Sequence, residues 1–317
     1  MKKLFSFLII PLIIFTFGCT EKIKDEKIDQ NNMQYNWSTM NEGPYNDIIS
    51  FATSTDLLNW TDTETILCEH CSVGDAIYKD GEIYFYFVDV SEDGVAEKLG
   101  LITSDDNGLT WSEKQFITIE GIGDKAAVDP SPLLEDNGQI RLFYFDIEEE
   151  RSSGARPGTT GATNKIYSAI SDDGLNFTEE EGVRFEYEGI FDPDVIKVGD
   201  EYKMYTGDIM GNSVYLATST NGLDFEYEAL VYTEGAIPEV FYTGENYYLF
   251  TGGIDISESL DGTRFTKTTN RFESNISMLT ADPSVIQLDD ESYILFYKTS
   301  KMGPEFNNKP SPPSPAL

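Results

Sequence analysis

The feature that most narrows the fold of this chain is a phrase that returns five times. It reads GDAIYKDGEIYFYFV at 74–88, VDPSPLLEDNGQIRLFYF at 128–145 and FDPDVIKVGDEYKMYTG at 191–207, then AIPEVFYTGENYYLFTG at 236–252 and ADPSVIQLDDESYILFYK at 281–298. Each copy sets two alternating apolar runs around a Gly, Asp or Asn turn, which predicts a β-hairpin. A second phrase follows each of the first four: LGLITSDDNGLTWSE (99–113), IYSAISDDGLNFTE (166–179), VYLATSTNGLDFEY (214–227) and IDISESLDGTRFTK (254–267). Its fifth copy, IISFATSTDLLNWTD (48–62), stands before the first hairpin rather than after the last. Two hairpins make a four-stranded blade, so the offset predicts that N-terminal strands complete the last blade and remove its free edge. The expected fold is all-β: one domain, 44–300, forming a closed five-bladed β-propeller.

The flanks carry other signals. Residues 1–19 join Lys2 and Lys3 to an apolar run and Gly18-Cys19, which predicts an export signal too short for a stable membrane span. Gly-Cys after the apolar core resembles a bacterial lipoprotein box, with Cys19 as the lipidated residue. Residues 20–43 are then a polar tether and 301–317 a Pro-rich tail. The expected location is outside the cytoplasm, anchored at the cell surface or in the periplasm, with the lipid as sole membrane contact. The 317 residues include 56 Asp plus Glu against 22 Lys plus Arg, a net charge of −34. Such a surface repels phosphate backbones, which excludes nucleic acid as a partner, and it keeps an exported protein soluble and monomeric.

Aligning the five first strands puts Val73, Asp129, Asp192, Ile237 and Asp282 at one position. Two residues on come Asp75, Ser131, Asp194, Glu239 and Ser284, on the same face of a regular strand. Carboxylates from separate blades are therefore expected to converge on one mouth of the channel. Crowded acids resist joint ionisation, so some retain a proton beside others that do not, and glycosidic bond cleavage uses such a pair. Alternatively, an Asp before Pro repeated by duplication only binds neighbouring backbone N–H groups. The longest interruption, 148–164, is expected to be a Gly/Ser/Thr loop of the kind that shapes a site.

The starts DPSP, DPDV, IPEV and DPSV, with GDAI as a divergent first member, resemble the five-bladed propellers of the glycoside hydrolase family 43, 32 and 130 group. The resemblance spans nearly the whole chain after the tether. It implies a cell-surface enzyme acting on an oligosaccharide or polysaccharide, with Asp75 as base, Asp192 as the acid that tunes pKa, and Glu239 as proton donor. Glu234, in TEGAIPEV, competes for the donor role because Ile237 stands where an acid would be expected. Asp129, Asp194, Asp282 and Phe191 are the expected substrate-binding residues, with Tyr78 and Phe241 as further aromatics near the mouth. A non-catalytic propeller that binds glycan or calcium is the alternative.

No cofactor is expected, calcium held by the mouth carboxylates being the exception. SDDNGLTW (104–111) resembles the Asp box of sialidases, a structural turn remote from substrate. No arginine stands at a blade start, which argues against sialidase chemistry. CEHC (68–71) holds Cys68, Cys71 and His70, and exported chains meet oxidising conditions, so a Cys68–Cys71 disulfide is expected. The alternatives are a soft-metal site of Cys68, His70, Cys71 and Asp75, or a redox role for the loop.

Overall fold

The computed structural model describes residues 37–39, 43–153, 163–277 and 279–300. The signal with Cys19, nearly all of the tether, residues 154–162 of the insertion and the Pro-rich tail lie outside the described residues. The described residues fall within one unit, Gln34–Leu317.

Among the described residues the strands form five sheets, one per blade of a five-bladed propeller. Blade 1 runs outward from the inner strand Cys71–Lys79 through Glu82–Asp89 and Lys98–Ser104 to Gln115–Phe116. Blade 2 begins at Ala127–Leu134, blade 3 at Phe191–Val198, blade 4 at Glu239–Tyr242 and blade 5 at Ala281–Gln287. In blade 5 the C-terminal strand Tyr293–Ser300 pairs along its full length with Asp47–Ser54, from Asp47 opposite Ser300 to Ser54 opposite Tyr293. The inner strands touch in a closed cycle, blade 5 against blade 1 included.

The second strands depart from simple alternation. Ile140–Asp146 is buried at every residue, and Tyr86, Tyr144, Tyr205 and Tyr297 are fully buried. A blade packs both faces against its neighbours, so its middle strands are read as continuous apolar runs, as in other sheets covered on both sides. Aromatic rings fill the wedges between blades: Phe85 of blade 1 stacks on Phe296 of blade 5 at 4.5 Å between centroids. Gly74 stands where three other blades carry the proline of Asp-Pro and the fourth that of Ile-Pro. A Cβ there would run into the Phe85 ring, with the Tyr86 carbonyl oxygen 2.7 Å away.

At the far ends of the blades, the Ser-x-Asp/Asn turns repeat one hydrogen-bond pattern. Ser104 Oγ donates to Asp106 at 2.9 Å and accepts the Gly108 N–H at 2.9 Å, and Ser171, Ser219 and Ser259 do the same in their blades. The turns also tie blades together, since Tyr86 donates to the Gly174 carbonyl and Tyr205 to that of Gly262. Tyr78 bonds Asn107 and Asp289, and Phe241 packs edge-on against Tyr293. Neither lines the mouth cavity.

Candidate active site

The five residues aligned at the blade starts share an unusual backbone. Val73, Asp129, Asp192, Ile237 and Asp282 have φ of 29°, 51°, 47°, 60° and 48°. This left-handed region is costly for residues with a Cβ, most of all for β-branched Val and Ile. In blades 1, 2, 3 and 5 the strand pairing slips at this point, forming a bulge. The bulge breaks the two-residue alternation, so positions i and i+2 part company. The expectation that both sets of acids share one mouth is corrected accordingly: they form two layers.

The upper layer faces a cavity of about 340 Å³ lined by Val73, Asp129, Asp192, Ile237 and Asp282. Asp47, Ser72, Lys298 and Phe191 complete its floor and wall, while Glu97, Ile147 and Ile209 stand at the same opening. The insertion after blade 2's second strand starts as a helix, Ile147–Ser153, and its Arg151 pairs with Glu97 and Glu148.

Burial pushes Asp129 up to about 7, helped by the Asp282 charge and opposed by Lys298 and by hydrogen bonds from Asp192. Burial also raises Asp192 well above the usual carboxylate range, followed by the charges of Asp129 and Asp282. The two acids line the same cavity, and the Asp129 charge adds to burial in opposing ionisation of Asp192. Across from them Lys298 is ion-paired with Asp282 and lies 3.9 Å from Asp47. Burial works against its proton, but the charges of Asp282 and Asp47 outweigh that and hold it protonated. Asp47 is raised by burial, against the pull of Lys298 and a 2.9 Å hydrogen bond from Ser72.

Lys298 escaped the sequence reading, although its signal is there: it is a lysine closing the otherwise apolar run YILFYK. Removing it strands two carboxylates in a buried site. Lys298→Met is expected to cost about 3–5 kcal/mol in urea unfolding at pH 7; a loss under about 1 kcal/mol would show that the lysine is not their counter-ion.

The lower layer is a belt that clasps the blades. Ser131 accepts the Val195 N–H at 3.0 Å, Asp194 that of Val240 at 2.7 Å, Glu239 that of Val285 at 2.7 Å, and Ser284 that of Ala76 at 3.0 Å. Each bond runs from one blade to the next. Asp75 would extend the pattern to residue 132, but Pro132 has no N–H to give. Its carboxylate turns back, accepting from Ser284 Oγ and from the Ala76 N–H, both at 2.6 Å.

Asp75, Asp194 and Glu239 each place an oxygen within 4.8 Å of the others, a spacing that opposes their joint ionisation and could hold a cation. Burial pushes Asp75 up to about 7, against hydrogen bonds from Ser284, Ala76 and Ser131. Burial likewise raises Asp194 and Glu239 well above the carboxylate range, with the Asp75 charge next for both. A space of about 30 Å³, room for water and none for a sugar ring, lies between the two layers, lined by Asp129, Asp192 and Asp282 as well as by Asp75, Asp194 and Glu239. Of the three expected catalytic residues only Asp192 lines the main cavity, while Asp75 and Glu239 line the small space beneath it, which Asp192 also borders. Asp129, Asp282 and Phe191 line it, Asp194 belongs to the belt, and Glu234 is exposed outside it.

Cys68 and Cys71 form a disulfide with Cα atoms 5.8 Å apart. The four-ligand metal arrangement with His70 and Asp75 is not assembled, because His70 stacks on Tyr45 and bonds its carbonyl at 2.6 Å while Asp75 lies in the belt. Asp89 instead lies beside the two sulfurs and is held by Lys114 at 2.5 Å.

No family model matches the sequence, and no curated protein does. Solved structures do match. A family 117 glycoside hydrolase from the marine bacterium Zobellia galactanivorans superposes with a TM-score of 0.52 at 15% identity, over 86% of this chain and 95% of that one. An α-L-arabinanase of Cellvibrio cellulosa, solved with arabinohexaose, gives 0.53 at 13% identity over 73% and 88%. The GH32 β-fructofuranosidase of Bombyx mori gives 0.52 at 15% identity over 71% of this chain, which spans only 54% of that enzyme. At these identities the likeness is one of fold: the protein is a five-bladed β-propeller whose structural neighbours are glycoside hydrolases of families 32, 43 and 117.

Proposed function

We propose that the protein is a glycoside hydrolase acting on the end of a neutral glycan held in the mouth cavity. The observation that carries this reading is that Asp129 and Asp192, both raised above the usual carboxylate range by burial, stand together at the wall of a cavity of about 340 Å³, with Asp282 ion-paired to Lys298 in the same layer. Asp192 gives its proton to the glycosidic oxygen as the C–O bond breaks. The positive charge that develops on the sugar is stabilised by Asp129 and Asp282. Water then adds to the anomeric carbon and its proton returns to the Asp129–Asp192 pair. Phe191, Val73 and Ile237 supply an apolar wall for a sugar face. The cavity is at the small end of ligand sites, suited to a chain terminus rather than a chain interior, and its carboxylates disfavour uronic or sulfated sugars.

A second reading rests on Val73 and Ile237 themselves. They leave two of the five blade-start positions without an acid, which favours a propeller that binds glycan without cleaving it. Screening the purified protein against arabino-, xylo-, fructo- and manno-oligosaccharides decides between them. Release of a terminal sugar supports hydrolysis. Binding without release supports the second reading, and neither result is compatible with an inert propeller. Under both readings the chain is exported and anchored through Cys19, and Cys19→Ala is expected to abolish labelling by radioactive palmitate and release the protein from membranes.

A further inference from the structure

We infer that the partly exposed tyrosine cluster where blades 2 and 3 meet is a second glycan-binding surface. The strand Phe185–Glu188 pairs with Thr163–Ser171 at the edge of blade 2 and brings Tyr187 against blade 3. There its ring stacks on Tyr227 with centroids 5.2 Å apart and planes 9° apart. Tyr215 tilts against both, at 5.3 Å and 6.1 Å. Tyr187 is 36% exposed and Tyr227 44%, and Leu230, opposite Tyr215 in the sheet register, is 47% exposed. Tyr86, Tyr144, Tyr205 and Tyr297 are sealed between blades, whereas the rings of Tyr187 and Tyr227 are left at the surface.

The cluster is linked to the edge of the mouth. The Tyr215 hydroxyl donates to Asp208 at 3.4 Å, and the next residue, Ile209, lines the mouth. A chain whose terminus sits in the cavity therefore has an aromatic surface near the edge by which it leaves. The chemistry fits one occupant. Ring faces and phenol edges suit the apolar faces and hydroxyls of a pyranose or furanose. The surrounding Glu186, Glu188 and Glu226 accept hydrogen bonds from hydroxyls and repel an anionic polymer. The expected ligand is thus a neutral polysaccharide. The assignment of its direction rests on the proposed function of the mouth; the binding itself does not.

The test is native affinity electrophoresis through gels containing arabinan, xylan, galactomannan, polygalacturonate or polylysine. Wild-type protein should be retarded by at least one neutral polysaccharide and not by polygalacturonate. Tyr227→Ala should weaken that retardation about tenfold in Kd, equivalent to about 1.4 kcal/mol, while Tyr227→Phe, which keeps the ring, should retain it. Asp192→Asn should be retarded like wild type, and Tyr227→Ala should turn over short oligosaccharides like wild type, so loss of catalysis and loss of the cluster are separable. No retardation by any neutral polysaccharide, equal retardation of Tyr227→Ala and wild type, or retardation by polylysine alone would each overturn the inference; the last would point to a basic protein as the occupant.

Discussion

Asp192→Asn is expected to lower kcat/KM on the oligosaccharide that wild type cleaves by about a hundredfold to ten-thousandfold, the usual worth of a positioned general acid. The amide keeps the shape and one oxygen but has no proton to give. It also frees Asp129 from its partner, so the pH–rate profile should lose its alkaline limb as well as its height. The counterpart is that Asp75→Asn and Glu239→Gln should stay within about tenfold of wild type, because in the belt an amide oxygen still accepts the backbone N–H that these acids serve. Steady-state rates on the same substrate check all three. Loss of turnover in Glu239→Gln with Asp192→Asn unaffected would reverse the assignment of the two layers.

The second large effect is on stability. Asp75, Asp194 and Glu239 all have folded-state pKa values above their unfolded ones, chiefly through burial. A raised acid binds its proton more tightly in the folded protein, so its stabilising contribution is complete below the unfolded pKa. That contribution is lost as pH rises through the folded value, which for Asp75 is about 7. The protein, treated with EDTA to exclude a cation among these acids, should therefore lose stability steadily from about pH 4 to pH 7 or above. Asp194→Asn keeps the acceptor for Val240 but carries no titrating proton. It should match wild type near pH 4 and exceed it at pH 8, with a slope shallower by up to about 1.4 kcal/mol per pH unit. Urea unfolding at four or five pH values measures this, and a parallel pair of curves would mean that Asp194 does not hold a proton in the belt.

The architecture was legible because duplication wrote it five times: the hairpin phrase and the offset copy at 48–62 require no knowledge of side-chain contacts. The gathering of Asp129, Asp192 and Asp282 was also legible, since alignment of repeats places equivalent residues at equivalent heights. Their division from Asp75, Asp194 and Glu239 was not. Strand alternation puts residues i and i+2 on one face, but the left-handed residue before Pro adds a bulge, and that turns Asp192 into the cavity and Asp194 toward blade 4. Lys298 was hidden for a different reason. Its partners Asp47 and Asp282 come from opposite ends of the chain and meet only in the shared blade. Pro132, which leaves Asp75 as the one belt acid without a neighbour's amide, is visible in the sequence but means something only once the belt is known.

The most direct test is a crystal structure of Asp192→Asn soaked with the oligosaccharide panel. The account predicts a terminal sugar in the mouth cavity, within hydrogen-bond distance of Asp129, residue 192 or Asp282 and stacked near Phe191, with the Asp75–Asp194–Glu239 belt closed beneath it. A sugar bound only away from the mouth, or one reaching Asp75 and Glu239 through an opened belt, would contradict it.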